Sequence, residues 1–184
     1  MTRPYPDIVA GPYEPPPHPF EDKEGRALTV RQYGAPDAPV DDEHEALVEM
    51  YVAFDPEDRA QGIPPVGETG VRRWLDEILT DDCFNVVAWH GDRAVGHATL
   101  VPDLGDAPDP AYELAIFVLA DYQAAGIGTR LMKTLLGLGR EQGVEHVWLT
   151  VERWNRPAVA LYENVGFEPS ETGSFELEMS ATLR

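Results

Sequence analysis

The chain has 184 residues, a formal net charge of −19 and a single cysteine, Cys83. Its length favours one domain with a substantial core, and no stretch approaches the ~20 apolar residues that a membrane span requires. The first residues lack the basic and apolar regions of a secretory signal. One cysteine rules out an intrachain disulfide, as is usual in a reducing compartment. We therefore expect a soluble, cytoplasmic protein with no membrane partner.

Aspartate and glutamate together number 33, against 14 lysines and arginines, and the acids occur in every segment of the chain. A surface of this charge repels phosphate backbones, so nucleic acid is not an expected partner. Two explanations of the charge remain open. It attracts a cationic substrate, or it reflects a halophilic, acidic proteome in concentrated salt, where the Debye length falls to about 3 Å. The even spread of the acids favours the second explanation.

Proline dominates the start of the chain, where it occupies positions 4, 6, 12, 15, 16, 17 and 19. This density prevents a helix or a central strand. We therefore predict an extended N-terminal arm over residues 1–25, either loose or laid across a single domain over residues 26–184.

Apolar periodicity and turn residues mark the elements beyond the arm. The predicted strands cover residues 27–33, 84–89, 94–100, 112–118, 144–151 and 174–183, and the predicted helices cover 41–54, 68–79, a segment after residue 126, and 157–165. Loops fall at residues 103–110 and 55–67, and the second, which is long, is a candidate wall of a substrate pocket. This order of elements predicts a mixed sheet with helices on both faces.

The most informative stretch runs from Glu113 to Gln142. An apolar strand leads into a small-residue loop, Gln123–Gly128, and then into a helix whose apolar residues repeat at helical spacing. The first N–H groups of a helix have no intrahelical partner, its macrodipole favours an anion, and glycine permits close approach, so the loop predicts a phosphate site. A dinucleotide fingerprint would need glycine at Leu131, and a P-loop would need Gly-Lys-Ser/Thr. The alternative is an ordinary strand-to-helix turn with a glycine cap.

Two segments carry a family resemblance. Gln123-Ala-Ala-Gly126-Ile-Gly128 resembles motif A of the GNAT acyltransferase superfamily, Gln/Arg-x-x-Gly-x-Gly/Ala. The segment from Asn155 to Phe167 resembles its motif B, Asn-x-x-Ala-x-x-Leu-Tyr-x-x-x-Gly-Phe, and the two occur in the right order. The resemblance implies an α/β (α+β) fold, with a mostly antiparallel central sheet, helices on both faces, and a parallel strand pair that splays at the glycine loop.

The resemblance also implies acetyl-CoA as co-substrate and no metal. Its pyrophosphate would rest on the N–H groups of the glycine loop, and its pantetheine would pair with the backbone of the preceding strand. The implied cofactor-binding residues are Phe117, Val118, Leu119, Gln123, Ala124, Ala125, Gly126, Ile127, Gly128, Thr129, Asn155 and Tyr162. Many relatives carry arginine at the position of Gln123, so this chain lacks one positive charge there.

Attack of an amine on a thioester needs a neutral amine and an acid for the departing thiolate. The resemblance assigns the acid to Tyr162, and the alternative is a core aromatic residue. Glu113 is the candidate base, acting directly or through water, unless it is merely solvated. Asn155 either caps its helix or contacts CoA. The histidines show no metal-ligand spacing.

We therefore expect an N-acetyltransferase that moves an acetyl group from acetyl-CoA to a primary amine in a ternary complex. The alternatives are an acyl-CoA-binding regulatory or interaction module without turnover, and a transferase with another acyl group or an O-linked acceptor. The acceptor is left open among small amines, antibiotics, polyamines, protein N-termini and lysine. Motif B has some likeness to the branch that acetylates ribosomal-protein N-termini. A homodimer is also left open.

Overall fold

The computed structural model describes residues 3–59, 63–105, 110–173 and 175–184. The strands are β1 (His18–Glu21), β2 (Ala27–Gln32), β3 (Phe84–His90), β4 (Arg93–Pro102), β5 (Tyr112–Val118), β6 (His146–Glu152), β7 (Glu168–Thr172) and β8 (Glu176–Thr182), and the helices are α1 (Glu43–Val52), α2 (Glu68–Ile78), α3 (Ile127–Glu141) and α4 (Arg156–Val165). Parts of the two predicted loops, residues 60–62 and 106–109, and the first residue of the predicted last strand, Ser174, lie outside the described residues. None of the described helices is long and apolar enough to cross a membrane.

The strands described here form one sheet in the order β1-β2-β3-β4-β5-β6-β8-β7. Neighbouring strands are antiparallel, except that β5 and β6 are parallel. This parallel pair is short, because only Tyr112 and Glu113 of β5 find partners, Val147 and Trp148 of β6. The strands then separate, which confirms the predicted mixed sheet and its splayed pair.

Helix α3 lies directly on one face of the sheet, and two glycines make this approach possible. A Cβ atom at Gly96 of β4 would lie 2.7 Å from Leu131 Cδ1, and one at Gly139 of α3 would lie 2.8 Å from Leu100 Cδ1. The predicted apolar stripe of α3, which includes Leu131, Leu135 and Leu138, is buried there. Close packing without room for a methyl group fixes α3 against the centre of the sheet.

Helices α1 and α2 cover the opposite face. Tyr51 of α1 reaches His97 of β4 through a buried hydrogen bond, and Trp74 of α2 packs edge-on against Phe117 of β5. Residues of an antiparallel pair that lie opposite each other share a face, and alternate residues change face. Helices on both faces of the sheet are therefore confirmed.

The proline-rich N-terminal segment is laid against the sheet and helices. Ala10 N–H donates to Thr182 O at 2.8 Å, at the end of β8. Tyr13 Oη then donates to Val165 O at 2.8 Å, and a Cβ atom at Gly137 of α3 would lie 2.6 Å from Glu14 O. The segment ends in β1, an edge strand that can contain Pro19 because one side of it has no strand partner among the described residues.

Candidate active site

The splay leaves one edge of β5 without a strand partner beyond Glu113. Leu119 N–H donates to Val95 O at 3.0 Å, so the N–H group of this residue points toward β4. Hydrogen-bonding direction alternates along a strand. The N–H groups of Val118 and Ile116 therefore face the gap between β5 and β6.

The glycine loop has a backbone shape that opens it to a ligand. Gly126, which precedes the first residue of α3, has a φ of 87°, and Ala124 has a φ of 56°. A left-handed residue other than glycine costs about 1–2 kcal/mol, and such strain occurs preferentially at functional sites.

The N-terminus of α3 differs from those of α1 and α4. The side chains of Asp42 and Asn155 cap α1 and α4 by accepting hydrogen bonds from Glu45 N–H and Ala158 N–H. No side chain caps α3, and its first turn contains no acidic residue. The unpaired N–H groups and the macrodipole at this end of α3 therefore form an anion cradle within the described part of the chain.

Two neighbouring turns hold the loop in place. Tyr122 is buried, and a hydrogen bond of 2.7 Å joins its hydroxyl to His90 Nδ1. The guanidinium of Arg26 lies 4.2 Å from the centre of the Tyr122 ring, and its Nη1 donates to Asp121 O at 3.1 Å. The loop is thus anchored by the β3–β4 and β1–β2 turns.

The side chain of Gln123 is exposed, but it folds back onto the surface of the protein. Its Nε2 donates to Val118 O and to Asp58 Oδ2, each at 3.0 Å. Both amide protons are thus engaged, and Asp58 brings a negative charge close to the loop.

Tyr162 lies on α4, which packs beside the start of α3. The neighbouring Leu161 Cδ2 would lie 3.6 Å from a Cβ atom at Gly128 of that first turn. Desolvation by burial raises the pKa of Tyr162 to about 12. The hydroxyl has no hydrogen-bond partner among the described residues. A phenol in this state remains protonated at neutral pH and is free to donate.

Asn155 serves as a helix cap. Its Oδ1 accepts from Ala158 N–H at 3.3 Å, and Pro157 follows in the first turn of α4. The capping alternative is therefore the one that the structure shows, and it leaves the Nδ2 group for other contacts.

Glu113 lies on the opposite face of the sheet from α3. Glu113 pairs with Val101 and Phe117 pairs with His97, and the two pairs are four residues apart along the strands. Because side chains alternate between the two faces, the Glu113 side chain lies on the same face as those of His97 and Phe117. The Glu113 residue as a whole is exposed to solvent, yet its carboxylate group is partly desolvated by the atoms around it. This desolvation raises the pKa of Glu113, the Asp103 carboxylate raises it further, and the Arg3 guanidinium lowers it. The structure thus places the two catalytic candidates on different faces, on the two sides of the splay.

Residues 40–167 match the model of the Acetyltransferase (GNAT) family. The chain belongs to this family. It is 41% identical over 59 residues to the [Ribosomal protein bS18]-alanine N-acetyltransferase of Escherichia coli K12, a match that spans 32% of this chain and 40% of that protein. The chain spans about two fifths of the length of the curated relatives it matches first, 39% and 40%.

Solved GNAT structures share the fold. The GNAT domain of S. lividans PAT superposes with a TM-score of 0.72 at 18% identity, covering 91% of this chain and 97% of that one. A putative acetyltransferase from Salmonella typhimurium, solved with its cofactor acetyl-CoA, superposes with a TM-score of 0.66 at 16% identity, covering 85% of this chain and 94% of that one.

In this GNAT enzyme, the side chain of Phe117 has a packing role. Its ring lies edge-on to the rings of Tyr51, Phe54 and Trp74, with centroids 5.5, 6.0 and 5.6 Å away. The Phe117 side chain is therefore unavailable to a cofactor, and its main-chain N–H, like that of Leu119, faces β4 rather than the gap. The cluster stiffens β5 opposite the glycine loop.

A buried chain of polar side chains, which was not predicted from the sequence, lies beside this cluster. Asn85 Nδ2 donates to Ile78 O at 2.9 Å, so its Oδ1 accepts from His97 Nε2 at 2.8 Å, and His97 Nδ1 accepts from the Tyr51 hydroxyl at 2.6 Å. His97 has no exposed surface, and desolvation lowers its pKa to about 3. A histidine and an asparagine within two apolar strands were the available signal, because buried polar groups need partners.

The described residues contain no group of three or more histidine, cysteine, aspartate or glutamate side chains that could hold a metal ion.

Proposed function

We propose that this GNAT enzyme transfers an acetyl group from acetyl-CoA to a primary amine by direct attack in a ternary complex. The observation that carries the proposal is the uncapped N-terminus of α3 beside the open edge of β5. An anion cradle and a strand edge without a strand partner fit the two ends of one ligand, a pyrophosphate and a pantetheine. We also propose that residues 26–184 act as one catalytic domain and that residues 1–25 form an arm laid on it.

Each end of the ligand has its own binding groups in this proposal. The pyrophosphate accepts hydrogen bonds from N–H groups of the loop and the first turn of α3, at Ala125, Gly126, Ile127, Gly128 and Thr129. The pantetheine amides pair with β5 at Val118 and Ile116, because Leu119 N–H is already bonded to Val95. Ile116 is thereby added to the predicted cofactor-binding residues. The N–H group of Leu119 is bonded to Val95 and does not donate to the pantetheine.

Acetyl-CoA supplies the thioester, and the side chains supply proton transfers. Main-chain N–H groups of β5 polarise the thioester carbonyl, as donors do in an oxyanion hole. The Tyr162 hydroxyl gives its proton to the departing sulfur, and its raised pKa keeps that proton in place until then. Glu113 accepts a proton from the amine, directly or through water, and the desolvation that raises its pKa makes it a stronger base.

The acceptor enters from the face that carries Glu113. Asp103 and Glu178 lie on this side as well, where Arg3 Nη1 approaches Asp103 Oδ2 at 3.7 Å and Arg3 Nε donates to Glu178 Oε1 at 2.9 Å. Three carboxylates next to a bound guanidinium suit a cationic amine. The relative that acetylates ribosomal protein bS18 at alanine makes a peptide N-terminus one acceptor to include in a test.

Turnover assays with acetyl-CoA and a panel of amines test the proposal. The panel includes polyamines, aminoglycosides, lysine and an alanine-starting peptide, and wild-type protein should release free CoA and acetylated amine in equal amounts. Gly126→Glu is the control, because it places a Cβ and a negative charge at a φ of 87° in the cradle. This variant should lose both turnover and the stabilisation by acetyl-CoA, which is about 2.7 kcal/mol at a hundredfold excess over Kd.

The outcomes separate the alternatives. Wild-type protein that binds acetyl-CoA but modifies no amine would be a CoA-binding module. Wild-type protein that does not bind acetyl-CoA, or a Gly126→Glu variant that binds it normally, contradicts the proposed cradle.

A further inference from the structure

The β1–β2 turn touches the glycine loop, although it lies outside the residues that match the family. Lys23 N–H donates to Ala125 O at 3.0 Å. A Cβ atom at Gly126 would lie 3.7 Å from Lys23 Cε, and the Nζ ammonium is one bond further along the same side chain. Lys23 is exposed and forms no ion pair with any described residue. A free cation therefore stands beside the anion cradle.

The turn is held in this position independently of the Lys23 side chain. Asp22 is buried, and its Oδ1 accepts from the N–H groups of Glu24 and Arg26 at 3.0 and 2.9 Å. Its Oδ2 accepts from Arg26 Nε at 2.7 Å, while Arg26 Nη1 binds Asp121 O. Arg26 thus clamps the turn to the segment that precedes the loop. The position of Lys23 is set by the fold and not by a flexible tail.

The loop itself supplies no cation. Gln123 is uncharged, both of its amide protons are engaged, and Asp58 adds a carboxylate nearby. Arg130, in the first turn of α3, turns toward β1, where its Nη1 donates to His18 Nε2 at 3.3 Å. A pyrophosphate in the cradle would thus meet main-chain dipoles and a neighbouring negative charge. Lys23 is the described cation whose side chain contacts the position of the cradle glycine.

We propose that Lys23 binds the pyrophosphate of acetyl-CoA, so that the β1–β2 turn supplies the charge that Gln123 lacks. This inference rests on the proposed use of acetyl-CoA. It assigns a binding residue to the N-terminal part of the chain, which neither motif includes. It also gives β1 a role, because the strand holds the turn at the edge of the sheet next to the loop.

The test compares the affinity for acetyl-CoA of wild type, Lys23→Gln, Lys23→Arg and Lys133→Gln by calorimetry. Lys133 is the only other lysine of the chain, and its Nζ lies 5.7 Å from the Tyr13 ring, on the middle of α3. Lys23→Gln should raise Kd about fivefold in dilute buffer, the scale of one exposed ion pair. Lys23→Arg and Lys133→Gln should bind like wild type. The difference should shrink in about 1 M KCl, because salt screens an exposed pair.

Dephospho-CoA, which keeps the pyrophosphate and lacks the 3′-phosphate, identifies the group that Lys23 contacts. The Lys23→Gln loss should persist with this ligand, and its disappearance would assign Lys23 to the 3′-phosphate and overturn the proposal. Equal Kd values for Lys23→Gln and wild type with acetyl-CoA would also overturn it while leaving the proposed function intact. Wild-type protein that fails to bind acetyl-CoA would instead remove the proposed function and this inference together.

Discussion

The two faces of the sheet contribute to the candidate site in different ways. On the α3 side, the groups are mainly main-chain N–H donors from one continuous stretch, residues 116–129, with the Tyr162 hydroxyl beside them. On the opposite face they are side chains from widely separated positions, among them Arg3, Tyr51, His97 and Glu113. A main-chain cradle needs only local backbone shape, whereas a set of side chains needs the whole fold. The main-chain cradle should therefore be sensitive to changes of shape, and the side chains on both sides to loss of a proton donor or acceptor, of charge, or to pH.

The largest effect is expected from Tyr162→Phe, on the α3 side. Phenylalanine keeps the ring, so packing and acetyl-CoA affinity should change little. Loss of a positioned acid should lower kcat by about 10² to 10⁴. Because the hydroxyl acts only in the transition state, kcat and kcat/KM should fall together in steady-state assays. If the variant turns over at the wild-type rate, Tyr162 is a core aromatic residue and another group donates the proton to the sulfur.

Glu113→Gln probes the opposite face and should lower kcat/KM by about 10², the lower end for a general base. A base must be deprotonated, so activity falls as pH drops through the pKa of Glu113. Desolvation and Asp103 raise that pKa, and this moves the acid limb of the wild-type pH profile above the ordinary range of glutamate. The limb should be absent from the variant. The matched control Glu178→Gln should retain the acid limb of the pH profile. If Glu113→Gln also retains it, Glu113 is a solvated residue and not the base.

The difference between the faces also explains what the sequence could predict. The strand–loop–helix from Tyr112 to Glu141 and the β3–β4 hairpin were predicted because their signals are local, and the cap of α4 was one of the two roles predicted for Asn155. The approach of Lys23 to Ala125 and the chain from Asn85 to Tyr51 join residues far apart in sequence, so no spacing rule could indicate them. β1 lay within a segment called an extended arm, because pairing with β2 is what makes those residues a strand.

Because His97 is buried and its pKa is lowered, we expect the stability of the fold to depend on pH. Its pKa is 6.5 in an unfolded chain and about 3 in the fold. At a pH between these two values, His97 is protonated in the unfolded state and neutral in the folded state. Stability therefore falls as pH decreases through this window, by about 1.4 kcal/mol per pH unit at most.

Urea unfolding of wild type and His97→Gln across this pH window measures the effect. The variant should be less stable near neutral pH, because the hydrogen bonds to Tyr51 and Asn85 are disturbed, and the gap should narrow on acidification. Parallel stability curves for wild type and His97→Gln would contradict a neutral, buried His97.

The smallest effect is expected from raising the salt concentration, which screens the net negative charge spread over the whole surface. Acids exceed bases by 19 formal charges, so the net interaction among the charges of the surface is repulsive. At about 1 M KCl the Debye length is about 3 Å, which relieves the repulsion among them, and each 1 kcal/mol gained should raise Tm by about 2–4 °C. Melting curves from dilute buffer to this salt concentration should therefore shift upward at neutral pH. Near the isoelectric point of about 4.4, where the net charge vanishes, the same salt series should have little effect. An unchanged or falling Tm at neutral pH would remove the high-salt explanation. It would favour steering instead, in which salt leaves stability alone and raises KM for a cationic amine approaching the Glu113 face.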